Sequence, residues 1–185
     1  MTNIMGICLI IACIAISIFI AYNATMIGIF GVPSSLSNTF YLLQNKYGEK
    51  YGWIFTGMLW IVCGLLIAPW IEVTQIISPW SKYLTVLPFL TVVMLLFVGT
   101  APNFREGGLP HDVHMTCAKL TAVFALLWVA VVCWQIMYII PAWVLLCGGI
   151  AHLTKTAGSG RDWWLEIVAF GSTFTAILTE LIMHL

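Results

Sequence analysis

Long apolar runs, separated by short polar segments, repeat along the whole chain. Most of these runs are about as long as, or longer than, the ~20 residues that an α-helix needs to cross a bilayer. The pattern predicts an all-α, polytopic transmembrane helix bundle with six spans. The predicted spans are Ile4–Phe30, Trp53–Trp70, Lys82–Val98, His111–Met137, Ala142–Leu153 and Trp163–Leu185.

The boundary between the fourth and fifth spans follows from length. A single helix through 111–153, at about 1.5 Å per residue, would be more than twice as long as the bilayer core is thick. The chain must therefore turn, and the turn is predicted at Tyr138–Pro141. The fifth span that follows is short, so a re-entrant segment is the alternative to a full crossing.

Between the first two spans, Gly31–Ser35 is expected to break the helix. Apolar residues then recur at helical spacing, at Leu36, Phe40, Leu43 and Tyr47. This spacing predicts a short amphipathic helix lying in the membrane interface, capped by Ser34 or Ser35 and ended by Gly48. A solvated loop is the alternative.

The composition determines the class of protein. The chain has 185 residues, of which 62% are hydrophobic and only 8% are charged, whereas soluble domains carry about 25% charged residues. The surrounding solvent must therefore be lipid, and membrane lipid is the expected partner. The loops are too short for a second domain, so residues 1–185 are predicted to form one. A formal net charge of zero argues against nucleic acid as a partner.

Positive side chains are distributed unevenly between the two sides of the predicted bundle. The first, third and fifth loops together carry five Lys and Arg residues, whereas the opposite side carries only Lys82. Because cytoplasmic loops are enriched in Lys and Arg, these odd-numbered loops are expected in the cytoplasm. Both termini of this multi-pass protein would then lie on the non-cytoplasmic side.

One polar segment, Gly99–Leu120, lies between two strongly apolar runs. Pro110 in this segment is predicted to precede a helix that carries two histidines on its first turn. The ionisable side chains of the segment are candidates for a functional site. They are Arg105, Glu106, His111, Asp112, His114 and Lys119.

The predicted orientation brings His152, Asp162 and Glu166 to the same membrane face as this segment. Small and polar residues also form one stripe at helical spacing along each of spans four and six. These two spans are therefore predicted to be neighbours that pack through the stripes. The stripes are His111, His114, Ala118, Ala122 and Ala125 on span four, and Asp162, Glu166, Ala169, Thr173, Ala176, Glu180 and His184 on span six.

Metal binding is one interpretation of these side chains. His111 and His114 are one helical turn apart and can share an ion, with His152 and either Asp112 or Glu166 completing a zinc-like set. The cofactor would then be a divalent metal ion. The pattern is unspecific, because the chain contains no His-Glu-x-x-His motif.

Proton or ion handling is a second interpretation, because Lys119, Glu166 and Glu180 are costly to place inside a membrane. In a third interpretation the same side chains are structural. Asp112 and Glu166 would then pair with Lys119, and His111 would meet lipid headgroups. The sequence leaves these alternatives open.

Nucleophilic catalysis has little support in the sequence. Ser34, Ser35 and Ser37 lie on the same side as the histidines, so that a Ser–His arrangement is geometrically open. No Gly-x-Ser-x-Gly elbow accompanies them. The chain is therefore not expected to be an enzyme.

Several short motifs resemble those of a known group of membrane proteins. They are Pro33–Asn38 in the first loop, Trp53–Gly57 at the start of the second span, Ala101–Asn103 in the third loop and His111–His114 at the start of the fourth span. In this layout the chain resembles the DUF998 family and the Frag1/DRAM/Sfk1 proteins. The resemblance implies a six-helix bundle with a lipid-related role. Arg105–Gly108 and the second histidine have no counterpart in that pattern.

Two functions follow from the sequence. The first is a polytopic membrane protein with a cytoplasmic-side His/Asp/Glu site that handles an ion, a proton or a lipid headgroup. The second is a non-catalytic protein that works by homo-oligomerising, as a pore-forming effector or an assembly partner. In the second case the small-residue stripes would face other subunits.

Overall fold

The computed structural model describes residues 2–77, 80–100, 105 and 108–185, with the backbone alone at 2, 3, 81 and 82. Throughout these residues the regular structure is helical, which confirms the predicted all-α class. Two short 3-10 helices, Glu49–Gly52 and Trp134–Ile136, precede the third and seventh α-helices. The α-helices are α1 (Thr2–Phe30), α2 (Asn38–Tyr47), α3 (Trp53–Ile77), α4 (Ser81–Leu84), α5 (Val86–Thr100), α6 (Gly108–Val131), α7 (Ile139–Leu153) and α8 (Arg161–Met183).

Five helical stretches of the described chain are long and apolar enough to cross a membrane. They are Ile4–Phe30, Glu49–Ile77, Gly108–Val131, Trp134–Leu153 and Arg161–Met183. The predicted fifth span, the shortest by sequence, is among them. The third predicted span is instead the short one, because α5 has only 15 residues. The chain therefore has the helices of a multi-pass membrane protein, and a count of six spans requires α5 to cross as well.

Five of the long helices close a ring. Around it, α1 packs on α3, α3 on α5, α5 on α6, α6 on α8, and α8 again on α1. The contact between α6 and α8 confirms that the predicted fourth and sixth spans are neighbours. In their small-residue stripes, Ala125, Ala169 and Ala176 are buried inside the ring, whereas His111 and Asp162 are exposed. These alanines therefore pack within one chain, and the oligomerisation hypothesis stays a prediction.

The seventh helix packs against α8, and the two helices approach each other closely at Gly171. A Cβ atom at Gly171 would lie 2.7 Å from ring atoms of Trp143, so only glycine allows this approach. The indole Nε1–H of Trp143 also donates a hydrogen bond to Oγ1 of Thr175, at 3.0 Å. A close backbone approach and one hydrogen bond thus attach α7 to the ring.

Three prolines lie inside helices close to their starts, although the sequence predicted Pro110 ahead of its helix and Pro141 in a turn. Each is the third residue of its helix: Pro88 in α5, Pro110 in α6 and Pro141 in α7. The first four N–H groups of a helix have no partner within that helix, so a proline costs no hydrogen bond at this position. The prediction that Pro110 precedes its helix is therefore wrong.

Two predicted span boundaries are also wrong. The turn expected at Tyr138–Pro141 lies earlier, because α6 ends at Val131 and α7 begins at Ile139. The second span continues beyond Trp70 to Ile77, with a proline inside the helix at position 69. At the turn between α6 and α7 the hydrophobic pattern continues across the real boundary, whereas α3 continues beyond its apolar run through Glu72, Thr74 and Gln75.

The short helix after the first span is confirmed as α2. Phe40 and Leu43 on its apolar face are buried, as the spacing predicted. At its start, Oγ of Ser35 accepts a hydrogen bond from the N–H of Asn38, at 3.1 Å. At its end, Gly48 has a φ of 106°, a conformation that glycine adopts readily. The end at Gly48 therefore agrees with the prediction, whereas the N-cap residue is Ser37, without a side-chain cap hydrogen bond, and not Ser34 or Ser35.

Candidate functional site

The loop 31–37 lies against the first turns of α6 and α8, at what we call the polar end of the helix ring. The N–H of Leu36 donates a hydrogen bond to Oε2 of Glu166, at 2.6 Å. Oγ of Ser37 lies 2.9 Å from Nε2 of His114. Two adjacent loop residues are thus attached to two different helices of the ring.

His114 is 1% exposed, and both of its ring nitrogens have partners. Nδ1 lies 3.2 Å from the carbonyl oxygen of Val98, near the end of α5. Because a carbonyl oxygen only accepts hydrogen bonds, Nδ1 of the neutral imidazole donates to it. Nε2 then holds the lone pair, and the hydroxyl of Ser37 donates to Nε2.

Arg105 places a positive charge beside α2. Its backbone N–H donates to the hydroxyl of Tyr41, at 3.0 Å, and its guanidinium carbon lies 4.6 Å from the centre of the Tyr41 ring. Its Nη2 also donates to Oδ1 of Asn38. A cation–π contact and one hydrogen bond therefore hold the guanidinium next to Asn38, the residue that follows Ser37, and a second hydrogen bond holds the backbone of Arg105.

An interior cavity extends from the polar end along the inside of the ring. Its volume is about 70 Å³, several times the roughly 10–15 Å³ that one water molecule requires. Along α3 its lining runs from Phe55 to Trp70, about 22 Å at 1.5 Å per residue. The cavity is therefore long and narrow.

The cavity wall is apolar over most of its length and polar at one end. Ser37 and Glu166 line the polar end. The far end is bounded by Trp70, whose ring packs edge-on to that of Trp128, with centroids 5.4 Å apart. Trp128 is held in turn by a hydrogen bond from its Nε1–H to Oγ1 of Thr74, at 2.8 Å. Between the ends, the lining is mainly Phe55, Leu59, Val62, Leu66, Val92, Leu95, Val98, Ala118, Ala122, Ala125, Ala169, Phe170 and Phe174.

Two residues in the deeper part of this lining have polar atoms without a partner. Among the described residues, no hydrogen bond reaches Nε1 of Trp70 or Oγ1 of Thr121, although both atoms are buried. Buried polar atoms are normally hydrogen-bonded. Two residues of the lining therefore each carry a buried polar atom that no described residue satisfies.

The structure brings together only part of the predicted site. His114 and Glu166 both contact the dipeptide Leu36–Ser37, one on each side. Three other candidates, Asp112, Lys119 and His152, are exposed on the helix surfaces, and so is His111. Glu106 lies outside the described residues. The site that forms is thus smaller and more deeply buried than the sequence suggested.

The three histidines of the predicted metal site do not meet. In the described part of the chain, no three His, Cys, Asp or Glu side chains form a group that could hold a metal ion. His114 is buried with both nitrogens in hydrogen bonds, whereas His111 and His152 are exposed. The expectation that His111, His114 and His152 share one ion is therefore not realised in this fold.

The predicted structural pairing with Lys119 is also absent. Glu166 accepts its hydrogen bond from Leu36, and Lys119 lies on an exposed face of α6. The ion pairs among the described residues are Arg161–Asp162, which is exposed, and His184–Glu180. Glu180, a third intramembrane candidate, has Oε2 3.7 Å from Nδ1 of His184, a contact that is an ion pair only when the imidazole is protonated.

Sequence reasoning missed the partners of His114. It placed Ser37 on the correct side of the bundle but could not choose among three nearby serines. It also gave no role to the carbonyl of Val98, because a main-chain acceptor has no signature in the sequence. The helical spacing of Ala118, Ala122 and Ala125 predicted close packing of two helices, and no pattern in the sequence indicated the cavity.

Comparison with known proteins identifies no relative of this chain. The chain has no match among protein-family models, curated proteins or solved structures. The resemblance to the DUF998 and Frag1/DRAM/Sfk1 proteins therefore stays a prediction.

Proposed function

We propose that this membrane protein binds a single-chain amphiphile, with the head at Ser37 and Glu166 and the tail in the interior cavity. The observation that carries the proposal is the division of the cavity into one polar end and a long apolar part. Ligand sites combine a mostly apolar lining with a few polar groups that fix orientation. An amphiphile has the same division of polar and apolar groups.

The dimensions of the cavity support one hydrocarbon chain. Its length along α3, about 22 Å at 1.5 Å per residue, exceeds the ~15 Å of hydrocarbon that belongs to one leaflet of a bilayer. Its volume of about 70 Å³ is small for that length, which favours a single chain over two. A lipid-related role also agrees with the resemblance to the DUF998 and Frag1/DRAM/Sfk1 proteins.

The lining favours an amphiphile over an ion. Among the described residues, Glu166 is the one charged residue that lines the cavity, whereas Ca²⁺ takes 6–8 oxygen ligands and zinc takes four ligands. A proton path would need a chain of polar groups, but most of the lining is apolar, and the hydroxyls of Thr91 and Thr173 already donate to carbonyl oxygens of their own helices. The lipid headgroup is therefore the ligand class that we retain.

We further propose that the polar end faces the cytoplasm and that both termini lie outside. The excess of Lys and Arg in the odd-numbered loops supports this orientation. A C-terminal alkaline phosphatase fusion, which is active only outside the cytoplasm, should be active. A C-terminal fluorescent protein that matures only in the cytoplasm should be dark. The reverse pair of results would invert the orientation.

Photocrosslinking tests the binding proposal. The purified protein is incubated with a fatty acid that carries a diazirine near its methyl end, irradiated and mapped by mass spectrometry. We expect saturable labelling of peptides from α3, α5 and α6 that line the cavity, with competition by the unmodified fatty acid. Labelling confined to outward-facing residues of α1 and α7 would contradict the proposal.

Two matched variants control for labelling of the protein surface by fatty acid that is dissolved in the surrounding detergent or lipid. Ala118 lines the cavity near the polar end, so Ala118→Phe should fill its entrance and remove the saturable labelling. Ala130 is exposed on the same helix, so Ala130→Phe adds the same ring outside the cavity and should leave the labelling intact. Equal labelling in both variants would mean that the cavity is not the binding site.

A further inference from the structure

The hydrogen bond between Ser37 and His114 has the geometry of an activated nucleophile. The Oγ–Nε2 distance is 2.9 Å, within the roughly 2.6–3.2 Å typical of a nucleophile and its general base. The imidazole is oriented by a third group, the carbonyl of Val98, on its other nitrogen. A nucleophile, a base and an orienting acceptor are thus arranged in a line.

The protonation pattern suits proton transfer from serine. The carbonyl of Val98 fixes the hydrogen of the neutral ring on Nδ1, so that Nε2 faces Ser37 with its lone pair. The opposite tautomer would place a hydrogen on Nε2 and could not take one from the hydroxyl. The backbone acceptor therefore selects the basic form of His114 towards Ser37.

Ser37 also lines the interior cavity, which places its hydroxyl at the polar end of the space for the tail. In an acyl ester, the carbonyl carbon lies at the junction between the polar head and the apolar chain. An ester whose chain fills the cavity thus has its reactive carbon at the end of the cavity where Ser37 lies. Glu166 fixes this position through its hydrogen bond to the preceding residue, Leu36.

We propose that Ser37 and His114 catalyse acyl transfer from a single-chain acyl ester to water, an activity that rests on the proposed binding of an amphiphile in the cavity. Oγ of Ser37 forms a bond to the acyl carbon while its proton passes to Nε2 of His114. The bond between that carbon and the ester oxygen then breaks, and the departing alcohol takes the proton from His114. The chain remains attached to Ser37 as an ester.

Water completes the cycle. His114 takes a proton from a water molecule as the water oxygen bonds to the acyl carbon, and the bond to Oγ breaks. The proton returns from His114 to Oγ of Ser37, and the carboxylic acid leaves. The net reaction is hydrolysis of one ester to an alcohol and an acid, without change of oxidation state.

Covalent labelling by an alkyl fluorophosphonate tests the proposal. In this reaction Oγ bonds to phosphorus, the P–F bond breaks, fluoride leaves, and His114 takes the proton. Mass spectrometry of the purified, membrane-extracted protein should find the adduct on Ser37. His114→Ala should slow labelling by about 10²-fold or more, since general-base catalysis contributes typically 10²–10⁴-fold.

Two serine variants make the labelling specific. Ser37→Ala should lose the adduct while it still unfolds in one cooperative thermal transition in detergent, which shows that the chain is folded. Ser34 is exposed three residues earlier in the same loop, so Ser34→Ala should label at the rate of the unaltered protein. An adduct that persists in Ser37→Ala, or that depends on Ser34, would overturn the assignment.

The two assays separate this activity from the binding on which it rests. If the unaltered protein crosslinks the fatty acid in its cavity but is not labelled by the fluorophosphonate, acyl transfer is wrong and binding stands. If neither occurs, both proposals are wrong. Labelling at Ser37 together with release of fatty acid from a 4-nitrophenyl acyl ester, absent in Ser37→Ala, supports the activity.

Discussion

Oε2 of Glu166 accepts a hydrogen bond from the backbone N–H of Leu36 at 2.6 Å, and 130 positions separate the two residues in the chain. Leu36 immediately precedes Ser37, whose hydroxyl lies 2.9 Å from His114. One carboxylate on α8 therefore holds the loop that carries the serine. The position of Ser37 depends on helices α6 and α8 together.

Substitution of Glu166 tests this dependence. Glu166→Ala leaves the partly buried N–H of Leu36 without its acceptor, which costs about 1–3 kcal/mol. Glu166→Gln keeps an acceptor oxygen of similar reach and should retain most of the stability. We expect thermal unfolding in detergent to show a lower Tm for the alanine variant alone. Equal losses in both variants would show that the charge, and not the hydrogen bond, holds the loop.

His114 is predicted to stabilise the fold, independently of any catalysis. His114→Ala removes a buried ring and leaves both the hydroxyl of Ser37 and the carbonyl of Val98 without a partner. Unpaired buried polar groups cost about 1–3 kcal/mol each. His111→Ala, on the exposed side of the same helix, should change stability by less than about 0.5 kcal/mol. Similar unfolding midpoints for the two variants would contradict the burial of His114.

The length of the bound chain should depend on the depth of an obstruction in the cavity. Ala125 lies about 16 Å beyond His114 along α6, at 1.5 Å per residue, and it lines the cavity. Ala125→Phe should therefore exclude long fatty acids while short ones still bind, as measured by competition in the photocrosslinking assay. An unchanged order of affinities across chain lengths would mean that the tail does not reach this depth.

The attachment of α7 to the ring depends on Gly171. Gly171→Ala would place a methyl group 2.7 Å from the Trp143 ring, and such overpacking costs typically about 1–3 kcal/mol. Gly148→Ala is the matched control, because nothing lies within 4 Å of its added Cβ. It should leave stability unchanged or raise it by up to about 1 kcal/mol. In thermal unfolding, the Tm of Gly171→Ala should therefore fall, whereas the Tm of Gly148→Ala should stay unchanged or rise.

The prolines show where local reasoning about helices loses accuracy. Pro88, Pro110 and Pro141 mark the helix starts correctly to within a few residues, yet each lies at the third position of its helix and not ahead of it. The reason is that proline is compatible with the whole first turn, where N–H groups lack partners. A proline in the sequence therefore locates a helix start but does not fix its first residue.

For the candidate site, the sequence could not show which ionisable residues are buried. His114 and Glu166 were candidates because ionisable groups are rare in an apolar chain. The same argument selected His111, Lys119 and His152, which lie on exposed helix surfaces. Composition identifies residues that are costly to bury, but it cannot tell which of them face the inside of the ring.

The sequence by itself determined the all-α class, the apolar helices, the amphipathic helix α2 and the contact between α6 and α8. The first three follow from a pattern within one segment, because the period of the helix and the length of the apolar run are local properties. The contact between α6 and α8 follows from stripes of small and polar residues on both segments. The partners of Ser37, the closed ring and the cavity were decided only by the tertiary structure. They depend on contacts between segments far apart in the chain, including a main-chain carbonyl at Val98, and no local pattern specifies such contacts.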